Sequence, residues 1–208
     1  MKTYFNFKNE NISYLVLAKN KNGMSLSTDS YFHKDNGKLL KKRVKTHTLP
    51  SKGTIFAVIG AVENNEQYKD HPFCVEDFVY KTLVENQPNE ITYNHIKKSL
   101  CEALHNCETP TTLVVGHQEP GHLLAWVLEI QNGEVLQEKY ITGTELVRFG
   151  YDHELPFNLS LQEFEQMSLK ELEKLTNKAV KDCIHATKNA DDVVIGGKVL
   201  TVSLKPLV

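Results

Sequence analysis

Apolar residues gather in short runs over the first sixty positions and again between residues 111 and 141, whereas elsewhere they recur every three or four residues. Short runs bounded by Gly, Asn and Pro read as strands, and a three-to-four spacing reads as helix. Tyr14 to Ala18 is the first strand-like run. The polar stretch Lys19 to Gly23 turns the chain into a second strand, Met24 to Asp29, a hairpin signal. A polar loop, Phe32 to Gly37, precedes another pair, Arg43 to Leu49 and Thr54 to Ile59, joined through Pro50 to Gly53.

Two helices follow in the pattern. Phe73 to Val84 carries Phe73, Val75, Phe78, Val79, Leu83 and Val84, and Ile91 to Leu104 sets Ile96, Leu100, Ala103 and Leu104 on one face behind Thr92 as N-cap. A second block of strands runs Thr111 to Gly116, His122 to Ile130 and Glu134 to Ile141, the last two linked by Gln131-Asn132-Gly133. Ser168 and Glu171 form a Ser-x-x-Glu capping box ahead of a helix whose stripe is Leu169, Leu172, Leu175, Ala179, Val180, Cys183 and Ile184. A last strand, Val193 to Leu204, passes through Gly196-Gly197. Strands, a helix pair, strands, helices and a final strand suit an α+β arrangement of layered sheets with helices grouped outside. No repeat or linker divides residues 1–208, so one domain is expected.

Composition narrows the partners. With 24 basic against 26 acidic residues the net charge is -2, which gives no electrostatic pull toward nucleic acid or an anionic membrane. Runs such as Leu123 to Leu128 are too short to cross a bilayer, and Met1 to Asn11 has no apolar signal core. A cytoplasmic protein is expected, with Cys74, Cys101, Cys107 and Cys183 reduced. Cys101, His105, Cys107, His117 and His122 fit no compact zinc spacing; they read as small core residues and surface histidines, so no metal and no cofactor is expected.

The stretch Ser13 to Asp29 resembles the opening of proteasome β subunits and of the related bacterial ATP-dependent peptidase. There a nucleophilic Thr or Ser begins a strand, a Gly closes the hairpin and an Asp ends the second strand; Gly23 and Asp29 are in register with Ser13, and the family's Lys falls on Lys45. Phe56 to Ala61 resembles the strand bearing the oxyanion-binding backbone, here Ile59 and Gly60. Ile141 to Glu145 resembles the Gly-Ser-Gly turn ahead of the third helix, and Asp192 to Gly197 the Asp-x-x-Ser-Gly-Gly turn into the last strand. The resemblance implies a four-layer αββα sandwich of two antiparallel sheets, the N-terminal-nucleophile hydrolase fold.

It also implies a chemistry. A hydroxyl needs a proton acceptor beside it, and an α-amine that titrates near neutrality suits that task. Ser13 takes the nucleophile's part, with Lys45 and its partner Asp29 beside it, Thr142 and Asp192 supporting the amine, and the backbone at Ile59 and Gly60 as oxyanion donor. Residues 1–12 are then a leader to be removed. Ile12 stands where the family has Gly, Ile59 adds bulk at the oxyanion strand, and Ile195 replaces a hydroxyl. These departures lead to the expectation of a self-assembling homo-oligomeric subunit, ring or dimer, unprocessed and with weak or no peptidase activity. The alternatives are an N-terminal Ser peptidase acting on peptide or protein after loss of residues 1–12, and a small-molecule amidohydrolase or binding protein using the same cleft.

Overall fold

The computed structural model describes residues 3–4, 13–33, 39–42, 44–60, 63–64, 73–150, 159–188 and 195–207. In chain order, β1 (Thr3–Tyr4) precedes the hairpin of β2 (Tyr14–Asn20) and β3 (Gly23–Thr28). Two small pairs, β4 (Tyr31–His33) with β5 (Leu39–Lys42) and β8 (Glu63–Asn64) with β9 (Phe73–Cys74), flank the hairpin of β6 (Thr46–Leu49) and β7 (Thr54–Gly60). Then come α1 (Val75–Glu85), α2 (Glu90–Ala103), β10 (Thr111–Glu119), β11 (His122–Gln131), β12 (Glu134–Ile141) and β13 (Glu145–Gly150). The chain closes with α3 (Leu161–Gln166), α4 (Leu169–Thr187) and β14 (Leu200–Leu204).

The strands form two five-stranded sheets, ordered β1-β13-β2-β3-β14 and β12-β11-β10-β7-β6. Their pairs are antiparallel except β1 with β13 at the edge of the first sheet, which is parallel. The alternation of side chains decides what each face packs on. Leu15, Leu17, Met24 and Leu26 of the first sheet meet Ile55, Ala57, Val114, Ala125 and Val127 of the second in one buried core. The opposite face of the second sheet, with Phe56, Val58, Leu113, Val115, Trp126 and Leu128, is covered by Val79, Leu83, Tyr93, Ile96 and Leu100 of α1 and α2. Tyr14 and Val16 on the outer face of the first sheet pack against Ala179, Val180 and Cys183 of α4. The order of layers is therefore helix, sheet, sheet, helix, as the resemblance implied. Each fully buried aliphatic side chain in these layers contributes about 1.5–3 kcal/mol.

Several elements differ from the sequence reading. Lys19 and Asn20 belong to β2, and the hairpin turn is only Lys21 and Asn22. Their side chains bond carbonyls of other segments, Lys19 those of Thr142 and Gly143 and Asn20 those of Phe164 and Met167, which lets polar residues stay in a buried strand. The N-cap of α2 is Asn89, whose side chain accepts from the Thr92 amide; Thr92 instead donates its hydroxyl to the Gln87 carbonyl. The last strand starts at Leu200, because Gly197 takes φ +84° and Gly196 lies against the Tyr31 ring, a turn rather than extended backbone. Strand β13 and helix α3 were not expected at all.

Candidate active site

Ser13 stands at the entrance to β2, and the hairpin register carries the end of β3 to meet it. With Leu15 opposite Thr28, the next residue along, Asp29, comes to the start of β2. The Tyr14 amide donates to Asp29 Oδ1 at 3.1 Å, and the Asp29 amide donates to the Tyr14 carbonyl at 3.4 Å. The second sheet supplies the cation. Lys45 precedes β6, its carbonyl accepts from the Val58 amide at 3.1 Å, and its ammonium reaches across to the first sheet. There Lys45 Nζ donates to Asp29 Oδ1 at 3.1 Å and Oδ2 at 3.2 Å, and also to Ser13 Oγ. The three residues to which the resemblance pointed thus converge on one ammonium.

The pair is deeply buried, with Lys45 3% and Asp29 0% exposed. Desolvating two charges costs several kcal/mol per ion unless their remaining hydrogen-bonding capacity is met. Here it is met: Asp29 Oδ2 also accepts from the amides of Tyr31 at 3.2 Å and Gly196 at 3.4 Å. One carboxylate therefore gathers the start of β2, the residue pair after β3, the segment before β6 and the turn before β14. Its charge is felt by Cys183 on α4, whose thiol is pushed up to about 12, first by burial and then by Asp29. Cys183 is an inert core thiol.

The other expected positions fall differently. Gly60 ends β7 with φ +91°, and an added Cβ there would overlap the Pro110 carbonyl oxygen. Ile59 points its side chain into the core between the sheets, so its bulk fills that core. Thr142 is a correction. Glu145 pairs with Lys19 and Gly150 with Tyr14, which sets Thr142 at the end of β2 away from Ser13, where its carbonyl accepts from Lys19 Nζ at 2.6 Å. The residue that the chain brings against Ser13 is Gly150, at φ +94°, where an added Cβ would overlap the Ser13 carbonyl oxygen. The buried alternation of Val147 and Phe149 was the signal for it. Ile195 packs with Tyr14, Val16 and Cys183 in the seam beneath α4. Asp192 and Ile12 lie outside the described residues.

Histidine 117 is a second correction, since it is buried rather than a surface residue. It bonds Tyr93 Oη through Nδ1 at 2.6 Å and Glu119 through Nε2 at 3.1 Å, and burial lowers its pKa. Among the described residues no group of three or more His, Cys, Asp or Glu is arranged to hold a metal, and no helix is long and apolar enough to cross a membrane.

No protein-family model matches the sequence, and no curated protein matches it. Solved structures do match in shape. Anbu from Hyphomicrobium sp. strain MC1 superimposes with a TM-score of 0.57 at 14% identity, over 92% of this chain and 82% of that one. Anbu from Yersinia bercovieri, described as an ancestral beta-subunit, does so at 0.55 and 14% identity, over 92% of this chain and 81% of its own. At that identity the likeness is one of fold, and the fold is the proteasome-like N-terminal-nucleophile sandwich.

Proposed function

We propose that the chain is a subunit of a proteasome-like assembly that hydrolyses amide bonds in peptides with Ser13 as nucleophile. The observation that carries this reading is the single buried ammonium of Lys45 bonded both to Ser13 Oγ and to Asp29. A buried ion pair is weak evidence for stability, because apolar residues of the same volume do as well or better. A desolvated charge at a hydroxyl is, however, the arrangement that lowers the energy of an alkoxide. This consideration reverses the order expected from sequence, where the departures at Ile12, Ile59 and Ile195 favoured an inactive subunit. Ile59 and Ile195 fill core seams, so two of those departures lose their weight.

In this reading the bond between Ile12 and Ser13 is cut, which frees the α-amine of Ser13. The amine takes the proton from Oγ as Oγ attacks the substrate carbonyl, and the ammonium of Lys45 steadies the developing oxyanion charge on Oγ. The tetrahedral intermediate collapses to an acyl-enzyme ester, the protonated amine returns its proton to the departing amine, and water then hydrolyses the ester by the reverse route. Asp29 holds Lys45 and, through the Tyr14 amide, the backbone that follows the nucleophile.

Intact mass of protein isolated from its native cell, together with labelling by a peptide epoxyketone, tests this. The epoxyketone consumes a hydroxyl and its neighbouring amine together. A mass beginning at Ser13 and one adduct per chain, absent in Ser13→Ala, is the expected result; a full-length, unlabelled chain overturns it. The second reading is a non-catalytic assembling subunit. It is favoured by Ile12 ahead of Ser13 and by exposed apolar side chains on α1 and α2, Tyr80, Val84 and Ile91. Either reading expects copies to associate, and light scattering that returns a monomer mass counts against both.

A further inference from the structure

A chain of four hydrogen-bonding side chains runs from the surface to the seam beneath α2. His122, at the tip of the β10–β11 hairpin and half exposed, meets Glu119 Oε2 through Nε2 at 2.7 Å and the Pro120 carbonyl through Nδ1 at 3.3 Å. The other oxygen of Glu119 meets His117 Nε2 at 3.1 Å, and His117 Nδ1 meets Tyr93 Oη of α2 at 2.6 Å. Both inner members are buried, His117 3% and Tyr93 1% exposed. The Tyr93 ring in turn lies flat on Trp126, with 4.4 Å between centroids and 12° between planes. His117 pairs with Thr54 at the start of β7, whereas Val58, further along β7, bonds the Lys45 carbonyl. The chain therefore stands at the end of the second sheet away from Ser13, and nothing in it depends on the nucleophile reading.

The order of donors fixes each proton. Burial, ahead of Tyr140 and Glu119, pushes the Tyr93 phenol up, so Oη keeps its hydrogen and donates it to Nδ1. The one proton of neutral His117 is then on Nε2, facing Glu119. A second proton, on Nδ1, would set two donors against each other. The phenol can turn its hydrogen away and accept instead, but among the described residues Tyr93 Oη has no other partner, and a buried hydroxyl hydrogen left unpaired is costly. His122 differs, because both of its nitrogens face acceptors.

The surrounding groups do not relieve that conflict. On β12, Glu138 gives one oxygen to Lys97 of α2 at 2.7 Å and the other to Trp126 Nε1 at 3.0 Å. Tyr140 is 6.3 Å from the Tyr93 ring, and its phenol is pushed up by burial, then by Glu138 and by Glu90 at the start of α2. His95 of α2 lies against Phe78 of α1, and His47 of β6 stacks on Phe56. Burial accordingly lowers the His117 pKa from 6.5, with Glu119 pulling it back and His122 adding to the fall. Once α2 lifts and water reaches the ring, His117 regains its ordinary value. The opened state then binds a proton that the closed state refuses, so acid favours opening.

We propose that Tyr93, His117 and Glu119 form an acid-sensitive latch, which holds the first half of α2 on the second sheet and releases it when His117 takes a second proton. Release uncovers Tyr93 and Trp126 beside the exposed Ile91, which changes the apolar surface of this layer. Hydrogen exchange of the full chain, corrected for the intrinsic pH dependence of exchange, reads the opening from about pH 8 to about pH 5. Below 6.5 the opening equilibrium for amides from Tyr93 to Lys97 should rise by up to about tenfold per pH unit, the limit for one proton, while those of α4 hold steady. Emission from Trp126, the chain's one tryptophan, should move to the red over the same range. Glu129, on the inner face of β11, gives global stability the opposite slope, so the measurement is local to α2. His117→Asn keeps an acceptor for Tyr93 and cannot titrate, so its α2 protection should lose the pH dependence. Glu119→Gln removes the group that pulls the His117 pKa back up, so the His117 ring resonances should titrate lower than in the wild type. Wild-type α2 protection that ignores pH overturns the latch, as does a pH dependence that survives His117→Asn or a wild-type His117 midpoint at or above 6.5. The wild-type measurements decide the matter even if a variant folds poorly.

Discussion

Two buried lysines mark the two ends of β2, and they have been put to different uses. Lys45 arrives from the other sheet and bonds a carboxylate and a hydroxyl. Lys19 belongs to β2 itself and, among the described residues, bonds the carbonyls of Thr142 and Gly143, at 2.6 and 2.8 Å. Burial lowers the pKa of Lys19 and the charge of Glu145 partly restores it. Its ammonium fastens the turn between β12 and β13 through those two carbonyls. In the reading proposed above, what separates a positioning lysine from a chemical one is the partner set, and the same residue type at similar burial can be either.

Substitutions can break or sharpen that contrast. The largest effect is expected from Ser13→Ala, which should lower peptide hydrolysis about 10⁴-fold or more while leaving the melting temperature nearly unchanged. Lys45→Met should cost about 10²–10⁴ in kcat, whereas Lys19→Met should leave kcat within a few fold; equal losses would dissolve the distinction. Stability should rank the same way. Lys45→Met strands a buried carboxylate and should lose about 3–5 kcal/mol in denaturant unfolding, partly recovered by adding Asp29→Asn. Lys19→Met removes hydrogen bonds to neutral carbonyls and should lose about 1–3 kcal/mol.

Gly150→Ala sharpens the site from a neighbouring strand. The residue sits at φ +94° against the Ser13 carbonyl, so the change should cost about 1–2 kcal/mol and lower kcat with little change in KM. The smallest effect is a slope. Between the ordinary carboxyl value of 4.5 and about 7, folded Glu129 keeps a proton that the unfolded chain has released. The wild type should therefore lose stability as pH rises through that window, by on the order of 1–3 kcal/mol, and Glu129→Gln should flatten the curve.

Much of this arrangement could be read from the residues. The β2–β3 hairpin, both long helices of the second layer and the Ser168 capping box carry local signals, because each is decided by neighbours in sequence. Ser13, Asp29 and Lys45 were legible through the resemblance, and the hairpin register explains why Asp29 shares an end with Ser13. Thr142 was misplaced because a Gly-containing turn of the right look recurs along the chain, and only the pairing of β13 with β2 says which segment meets Ser13. Strand β13 escaped notice since Arg148 interrupts its apolar pattern, although it is buried in the fold. Helix α3 carries its own local signal, Ser160 and Glu163 in a second capping box. Glu129, whose buried Oε1 has no hydrogen-bond partner among the described residues, has no sequence signature, because burial of that kind is defined by what surrounds it.

The contacts of Asp29 also set a clock. Gly196, which donates an amide to that carboxylate, lies 167 residues further along the chain. A ribosome adds about 5–20 residues each second, so the nascent chain spends roughly ten seconds or more with Ser13 and Asp29 made but that last anchor still unwritten. During that interval the hydroxyl has no finished cradle. In the reading proposed above, Ser13 would therefore gain its full surroundings only when almost the last strand has been made, so that synthesis itself would delay any reaction at the hydroxyl.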